Sequence, residues 1–184
     1  MPQCEAMNIH ARAVIVNFFA FQLLWAAAVV GASQGTGLLA WGVLAVMVMA
    51  QVALTRQWRQ DLLLMASGGI LCVLMEPLWL LPDLLQYRHW EPHWWAPHWV
   101  WALWLGFAVS FRYSLNWLCG RPVLAALLGA VGGVFSVTMG IRLGAATAPQ
   151  GWLLLAMVYG ISWAIAVPLL AQVATMTKQE TEHA

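Results

Sequence analysis

Glu76 and Arg112 are ionisable side chains set inside otherwise apolar runs. A charge within a bilayer costs about 3 kcal/mol on insertion scales, so residues of this kind mark candidate sites by default. Glu76 follows Asp61 by fifteen positions. At about 1.5 Å per helical residue that raises it roughly 22 Å above the cytoplasmic edge of a hydrocarbon core about 30 Å thick. Arg112 follows Pro97 by the same interval and descends from the opposite face, which leaves the two charges about 14 Å apart in depth. A Glu76–Arg112 ion pair is not expected, so each charge needs partners of its own.

At the level of Glu76 the sequence offers His98, Arg142 and, somewhat deeper, Tyr159. A carboxyl in such a place can hold or pass a proton, which makes Glu76 with His98 a candidate catalytic pair. A structural pair of Glu76 with Arg142 or His98 is the plain alternative. Pro77 weakens the backbone ladder beside it and frees carbonyls that can line a cavity. At the level of Arg112 come Asn17, Gln51, Asp61, Asn116 and Gln172. An arginine among amides suits a phosphate or carboxylate head group; the competing reading is an arginine that snorkels and ties loops together. Arg112 and Asn116 fall one helical turn apart, on a stripe shared with Ala108 and Trp101. Asn17 and Gln22 supply amides suited to interhelical bonds.

The chain holds 13 tryptophans, concentrated between Asp83 and Trp104. Indole prefers the headgroup level, where its ring and its N–H are both satisfied, so the 82–97 loop reads as an aromatic anchor or lid on the outer leaflet. The functional alternative is a wall of rings, Trp101 and Trp104 included, that grips a planar or amphipathic ligand. His89, His93 and His98 have near-helical spacing, but Pro92 and Pro97 interrupt any helix there. No metal site is expected, and nothing calls for a cofactor. Cys4, Cys72 and Cys119 stand too far apart for a short metal or redox motif and read as small apolar residues.

These residues must be carried by membrane spans. Hydrophobic residues make up 62% of the 184 and charged residues 8%, against about 25% charged in soluble domains. Lipid is the solvent that such a surface requires. A net charge of +1 leaves no basic stripe, which excludes nucleic acid as a partner. Six apolar runs approach the span length, at 14–31, 37–54, 62–81, 98–115, 122–141 and 152–173. Sheet edges cannot be satisfied in lipid, so the class is all-α: one transmembrane domain with short loops and antiparallel neighbours. With the N-terminus inside, the cytoplasmic segments carry Arg12, Arg56, Arg59, Arg121 and Lys178, and the outside carries Arg88 and Arg142. That asymmetry predicts both termini in the cytoplasm. Ala125, Gly129 and Gly133 form a small-residue stripe on the fifth run, suited to packing within the chain or to a homo-oligomer. Ser67-Gly68-Gly69 in the third run offers a smooth surface to match it.

The segments 17–25 (NFFAFQLLW), 97–108 (PHWVWALWLGFA) and 114–117 (SLNW) resemble a family of uncharacterised small six-span bacterial inner-membrane proteins. Its members tend to be encoded beside cyclopropane-fatty-acid synthase-like and flavin-dependent enzymes of membrane-lipid modification. The resemblance implies membrane lipids as ligands and a lipid-modifying enzyme as partner, and it carries over no catalytic residue. Residues 91–101 (EPHWWAPHWVW) are also similar to the loop of the tryptophan-rich sensory or translocator proteins, which follows the first helix there and the third run here. Three functions are expected to compete. One is binding of a lipid or other hydrophobic ligand in aid of membrane fatty-acid modification. Another is a small transporter or flippase, which needs a polar seam joining the two charged levels. The third is an intramembrane enzyme using Glu76, which no nucleophile motif or HExxH pattern supports.

Overall fold

In the computed structural model, which describes residues 2–182 and the side chains of 9–177, runs of apolar residues form helices wherever turn-forming residues do not interrupt them. The side chains of Cys4 and Lys178 lie outside the described residues. Helix α1 (Pro2–Ser33) turns through Gly35, whose φ of 76° suits glycine, into α2 (Leu39–Thr55). Helix α3 (Trp58–Met75) leads at Glu76 into the single turn α4 (Pro77–Leu80), with proline in its first turn. After the connection 81–97 come α5 (His98–Ser110), a 3-10 turn (Asn116–Leu118), α6 (Pro122–Arg142) and α7 (Trp152–Glu182).

Two short strands depart from the all-α expectation. β1 (Gln86–Tyr87) pairs antiparallel with β2 (Ala146–Thr147), Gln86 opposite Thr147 and Tyr87 opposite Ala146. The Arg88 N–H extends the pairing to the Ala145 carbonyl at 2.9 Å. Both strands lie in connections rather than in helices, where their backbone groups need each other as partners. The pair straps the α4–α5 connection to the α6–α7 connection.

Four of the described helical stretches are long and apolar enough to cross a membrane: Ile9–Ser33, Trp58–Leu80, Pro122–Arg142 and Trp152–Thr177. Large apolar side chains cover their outer faces, among them Phe19, Leu23, Val123, Val131, Leu153 and Ile161, as a lipid-facing surface requires. The chain is therefore read as membrane-embedded. The runs expected at 37–54 and 98–115 form shorter helices, of 17 and 13 residues. α5 stops at Ser110, whose hydroxyl turns back to the Gly106 carbonyl at 2.9 Å. Past Phe111 the chain leaves the helix to reach polar partners: Arg112 and Tyr113 bond to Asp61, and Ser114 bonds to Asn17. Asn116 consequently opens the 3-10 turn, and the helical stripe expected to join it to Arg112, Ala108 and Trp101 does not exist.

α5 is the central helix, packed on α1, α2 and α3, while α6 packs on α7 and α7 reaches α3. Close approach depends on missing side chains. A Cβ on Gly106 would lie 2.3 Å from Leu24 Cδ2, and one on Gly68 would lie 2.6 Å from the Trp104 carbonyl oxygen. The smooth surface at Gly68 thus receives α5, not α6 as its spacing had suggested. The stripe of Ala125, Gly129 and Gly133 is filled by α7, with Trp163 and Val167 against the two glycines.

Candidate functional site

A cavity of about 400 Å³ opens between α1, α5, α6 and α7. Aromatic side chains dominate its walls: Phe21 and Trp25 from α1, Trp104 and Phe107 from α5, Tyr159 and Trp163 from α7. Gln22, Leu128, Gly132 and Phe135 line it and are also exposed on the outer face, so the mouth opens sideways between α1 and α6. The Trp25 indole N–H donates to Ser136 Oγ at 2.9 Å and ties those two helices together across the gap.

At one end of the cavity lies the carboxylate of Glu76, 2% exposed. Three elements converge on it. Trp79, one turn further along in α4, donates its indole N–H to Oε2 at 2.9 Å. Tyr87 of β1 donates its hydroxyl to the same oxygen at 2.8 Å, and Trp104 of α5 donates its indole N–H to Oε1 at 2.9 Å. All three donors are neutral. A carboxylate oxygen accepts about two hydrogen bonds, so Oε2 is filled and Oε1 keeps one acceptor position. Burial raises the Tyr87 phenol well above its ordinary pKa, and the Glu76 carboxylate beside it raises it further, which keeps Tyr87 in its donor form.

The rings around this carboxylate form a connected set. Trp104 stacks on Trp163 with centroids 4.8 Å apart and planes 14° apart. Tyr159 lies 4.4 Å from Trp79 and 6.0 Å from Trp163, and Phe107 packs edge-on against Trp163 at 5.3 Å. Gly133 makes this possible, because a Cβ there would lie 2.5 Å from Trp163 Cγ.

The second polar cluster ties the end of α5 to the start of α3. Arg112 pairs with Asp61 at 3.5 Å and donates to the Gln57 carbonyl at 3.3 Å and to the side chains of Gln57 and Gln60. Tyr113 donates to Asp61 at 3.0 Å and lies 3.2 Å from the Thr55 hydroxyl. Ser114 donates to Asn17 Oδ1 at 2.6 Å, and Gln51 donates to the Ala13 carbonyl at 3.2 Å. Asp61 supplies the anionic partner of Arg112, so the cluster forms a clasp between α3 and the end of α5.

Residues 14–169 match the family described as "Protein of unknown function (DUF2878)". The chain belongs to that family. No curated protein and no solved structure matches it. The part matched to DUF2878 runs from within α1 into α7 and contains Glu76, its three donors and every ring named above.

Of the side chains singled out in this DUF2878 sequence, Glu76, Trp104 and Tyr159 line the cavity, and Asp61, Arg112 and Asn17 gather at the clasp. Glu76 does not pair with His98 or Arg142. Its bonded partners are Trp79, Tyr87 and Trp104, while His98 opens α5 and Arg142 closes α6 with other surroundings. His98 packs edge-on against Trp90, with centroids 5.8 Å apart, and Arg142 is exposed in the last turn of α6. Trp101 turns away from the cavity to Trp95, and Gln172 is exposed. The loop tryptophans pack on one another, with the Trp90 indole donating to the Trp95 carbonyl at 2.7 Å, and none of Trp90, Trp94 and Trp95 lines the cavity. His93 pairs with Glu91 at 3.0 Å. Among the described residues no three His, Cys, Asp or Glu side chains come close enough to hold a metal ion. Sequence reasoning missed Trp25, Tyr87, Phe107 and Trp163. Trp163 carried a usable signal, since it follows Tyr159 by four residues and so shares its helical face.

Proposed function

We propose that this protein is a multi-pass protein of the bacterial inner membrane that binds a lipid or other apolar or amphipathic molecule in the aromatic cavity, with access from the lipid between α1 and α6. The observation that carries the reading is the Glu76 carboxylate, held by three hydrogen bonds with one acceptor position left, at the end of a largely apolar cavity whose mouth lies among exposed apolar side chains. A cavity of this size falls within the range of small-molecule sites, about 300–1,000 Å³. Apolar walls hold the body of the ligand, and the few polar groups orient it.

Six crossings fit this arrangement. A Cβ on Gly37, just before α2, would meet Trp99 near the start of α5, and Thr55 at the end of α2 meets Tyr113 just past the end of α5. The 13-residue helix with its flanking turns therefore covers the same depth as the whole of α2. An even count of crossings places both termini on one side, and the arginine asymmetry assigns that side to the cytoplasm. A role beside an enzyme of membrane fatty-acid modification rests on the family resemblance and is tested by lipid analysis of a deletion strain. Transport would need a polar seam between the two charged levels. Phe107, on α5 before Arg112, lines the cavity with an apolar ring, which favours binding.

The test uses Gly132, which lines the mouth and where an added Cβ would meet nothing within 4 Å. The protein is purified in mild detergent and analysed by native mass spectrometry, beside Gly132→Leu. A co-purifying molecule retained by the wild type and depleted in the variant is expected. Wild-type protein without adducts, whose tryptophan fluorescence also ignores added lipid, would remove the reading.

A further inference from the structure

We infer that the group held at Glu76 is an organic cation, an ammonium head on an apolar body. The inference rests on the ligand-binding reading above and names the chemistry of its ligand. It starts from charge balance. The bonded partners of Glu76 are two indoles and a phenol, all neutral. Among the described residues the ion pairs are Arg112–Asp61 and His93–Glu91, so no cationic side chain answers Glu76. The cavity is lined by no lysine, arginine or histidine, and its remaining polar side chains, such as Gln22 and Ser136, carry no charge.

A bound anion would meet a carboxylate with nothing to compensate either charge, and a neutral ligand would leave the carboxylate unanswered in a low-dielectric site. A cation supplies the missing charge. The walls suit it as well, because the faces of aromatic rings attract ammonium groups, most strongly where water is excluded. Trp104 and Trp163 present stacked indoles, and Tyr159 and Phe107 stand beside them, all lining the same cavity as the carboxylate. The free acceptor position on Oε1 takes an N–H where the head has one. A proton on Glu76 is the competing source of neutrality, and it gives no preference for a charged head.

The experiment compares two probes with the same alkyl chain. One ends in trimethylammonium and the other in its uncharged carbon isostere, a tert-butyl group. Binding is read from the tryptophan fluorescence of the full chain in phosphatidylglycerol nanodiscs, with empty nanodiscs correcting for partition into lipid. The ammonium probe is expected to bind at least tenfold more tightly than the isostere, and Glu76→Gln is expected to abolish that preference. Equal affinity for the two probes in the wild type overturns the cation inference and leaves the cavity reading standing. Failure of both probes to bind saturably overturns the cavity reading with it. The wild-type comparison decides even if Glu76→Gln does not fold, and a preference that survives in a folded Glu76→Gln also overturns the inference. Nanodiscs containing phosphatidylcholine distinguish the source: competition assigns the ammonium to a lipid head group, and its absence assigns it to a free amphiphilic amine.

Discussion

Gly132 and Gly133 are neighbours on α6, both line the cavity, and alanine at each should have opposite consequences. At Gly133 the new methyl would lie 2.8 Å from Trp163 Cβ and 2.5 Å from its Cγ. The Trp163 Cβ is fixed to the α7 backbone, so rotating the ring does not relieve the clash and α6 must move away from α7. Overpacking of this kind costs about 1–3 kcal/mol, and removal of a helical glycine returns about 0.5–1 kcal/mol. The net loss is about 0–2.5 kcal/mol. At Gly132 a Cβ meets nothing within 4 Å, so only the gain of about 0.5–1 kcal/mol remains. The two variants should differ by about 2 kcal/mol, or about 4–8 °C in Tm for a chain of this size. Thermal unfolding in maltoside micelles, followed by the near-ultraviolet circular dichroism of the tryptophans, measures the difference. Gly133→Ala should also weaken ligand binding, because Trp163 stacks on Trp104 and Trp104 bonds to Glu76. Gly133→Ala melting at or above Gly132→Ala would refute the reasoning, since α6 and α7 would then not meet at this distance.

Other expectations follow from single contacts. Glu76→Gln places an amide N–H among three converging donors and should lose about 1–3 kcal/mol; denaturant titration of a variant as stable as the wild type would deny that the three bonds form. Arg112→Met strips Asp61 of its counter-charge and should cost about 3 kcal/mol, with Asp61→Asn added in the same chain recovering part of it; a double variant no better than the single would break the proposed pair. Trp25→Phe removes the bond to Ser136 across the mouth and should cost no more than about 1 kcal/mol while speeding ligand release. Stopped-flow fluorescence reads that rate, and an unchanged rate would remove the bond from any control of access.

The apolar character of α1, α3, α6 and α7 was legible because it is a local property: a run of about 20 residues either suits hydrocarbon or it does not. The separation of Glu76 from Arg112 was legible for a similar reason, since helical rise converts spacing into depth. α5 was misjudged in length because the end of a helix depends on what its last residues can reach. Arg112, Tyr113 and Ser114 unwind toward Asp61 and Asn17, partners from elements remote in sequence.

The candidate site divides in the same way. Glu76 stood out as a costly charge in a span, but its partners did not, because Trp79, Tyr87 and Trp104 arrive from a turn, a two-residue strand and a helix that only the folded chain brings together. The glycines at 68, 129 and 133 announced close approach, yet spacing could not say which helix would approach. That choice belongs to the shapes of α5 and α7, which fill those surfaces with the Trp104 backbone at Gly68, the Trp163 carbonyl and Val167 at Gly129, and the Trp163 side chain at Gly133. Sequence alone determined that long apolar helices build this chain and that a carboxyl side chain is set within one of those apolar runs. Tertiary structure decided that neutral donors and aromatic faces surround that carboxylate, because contacts between distant segments are set by packing rather than by local pattern.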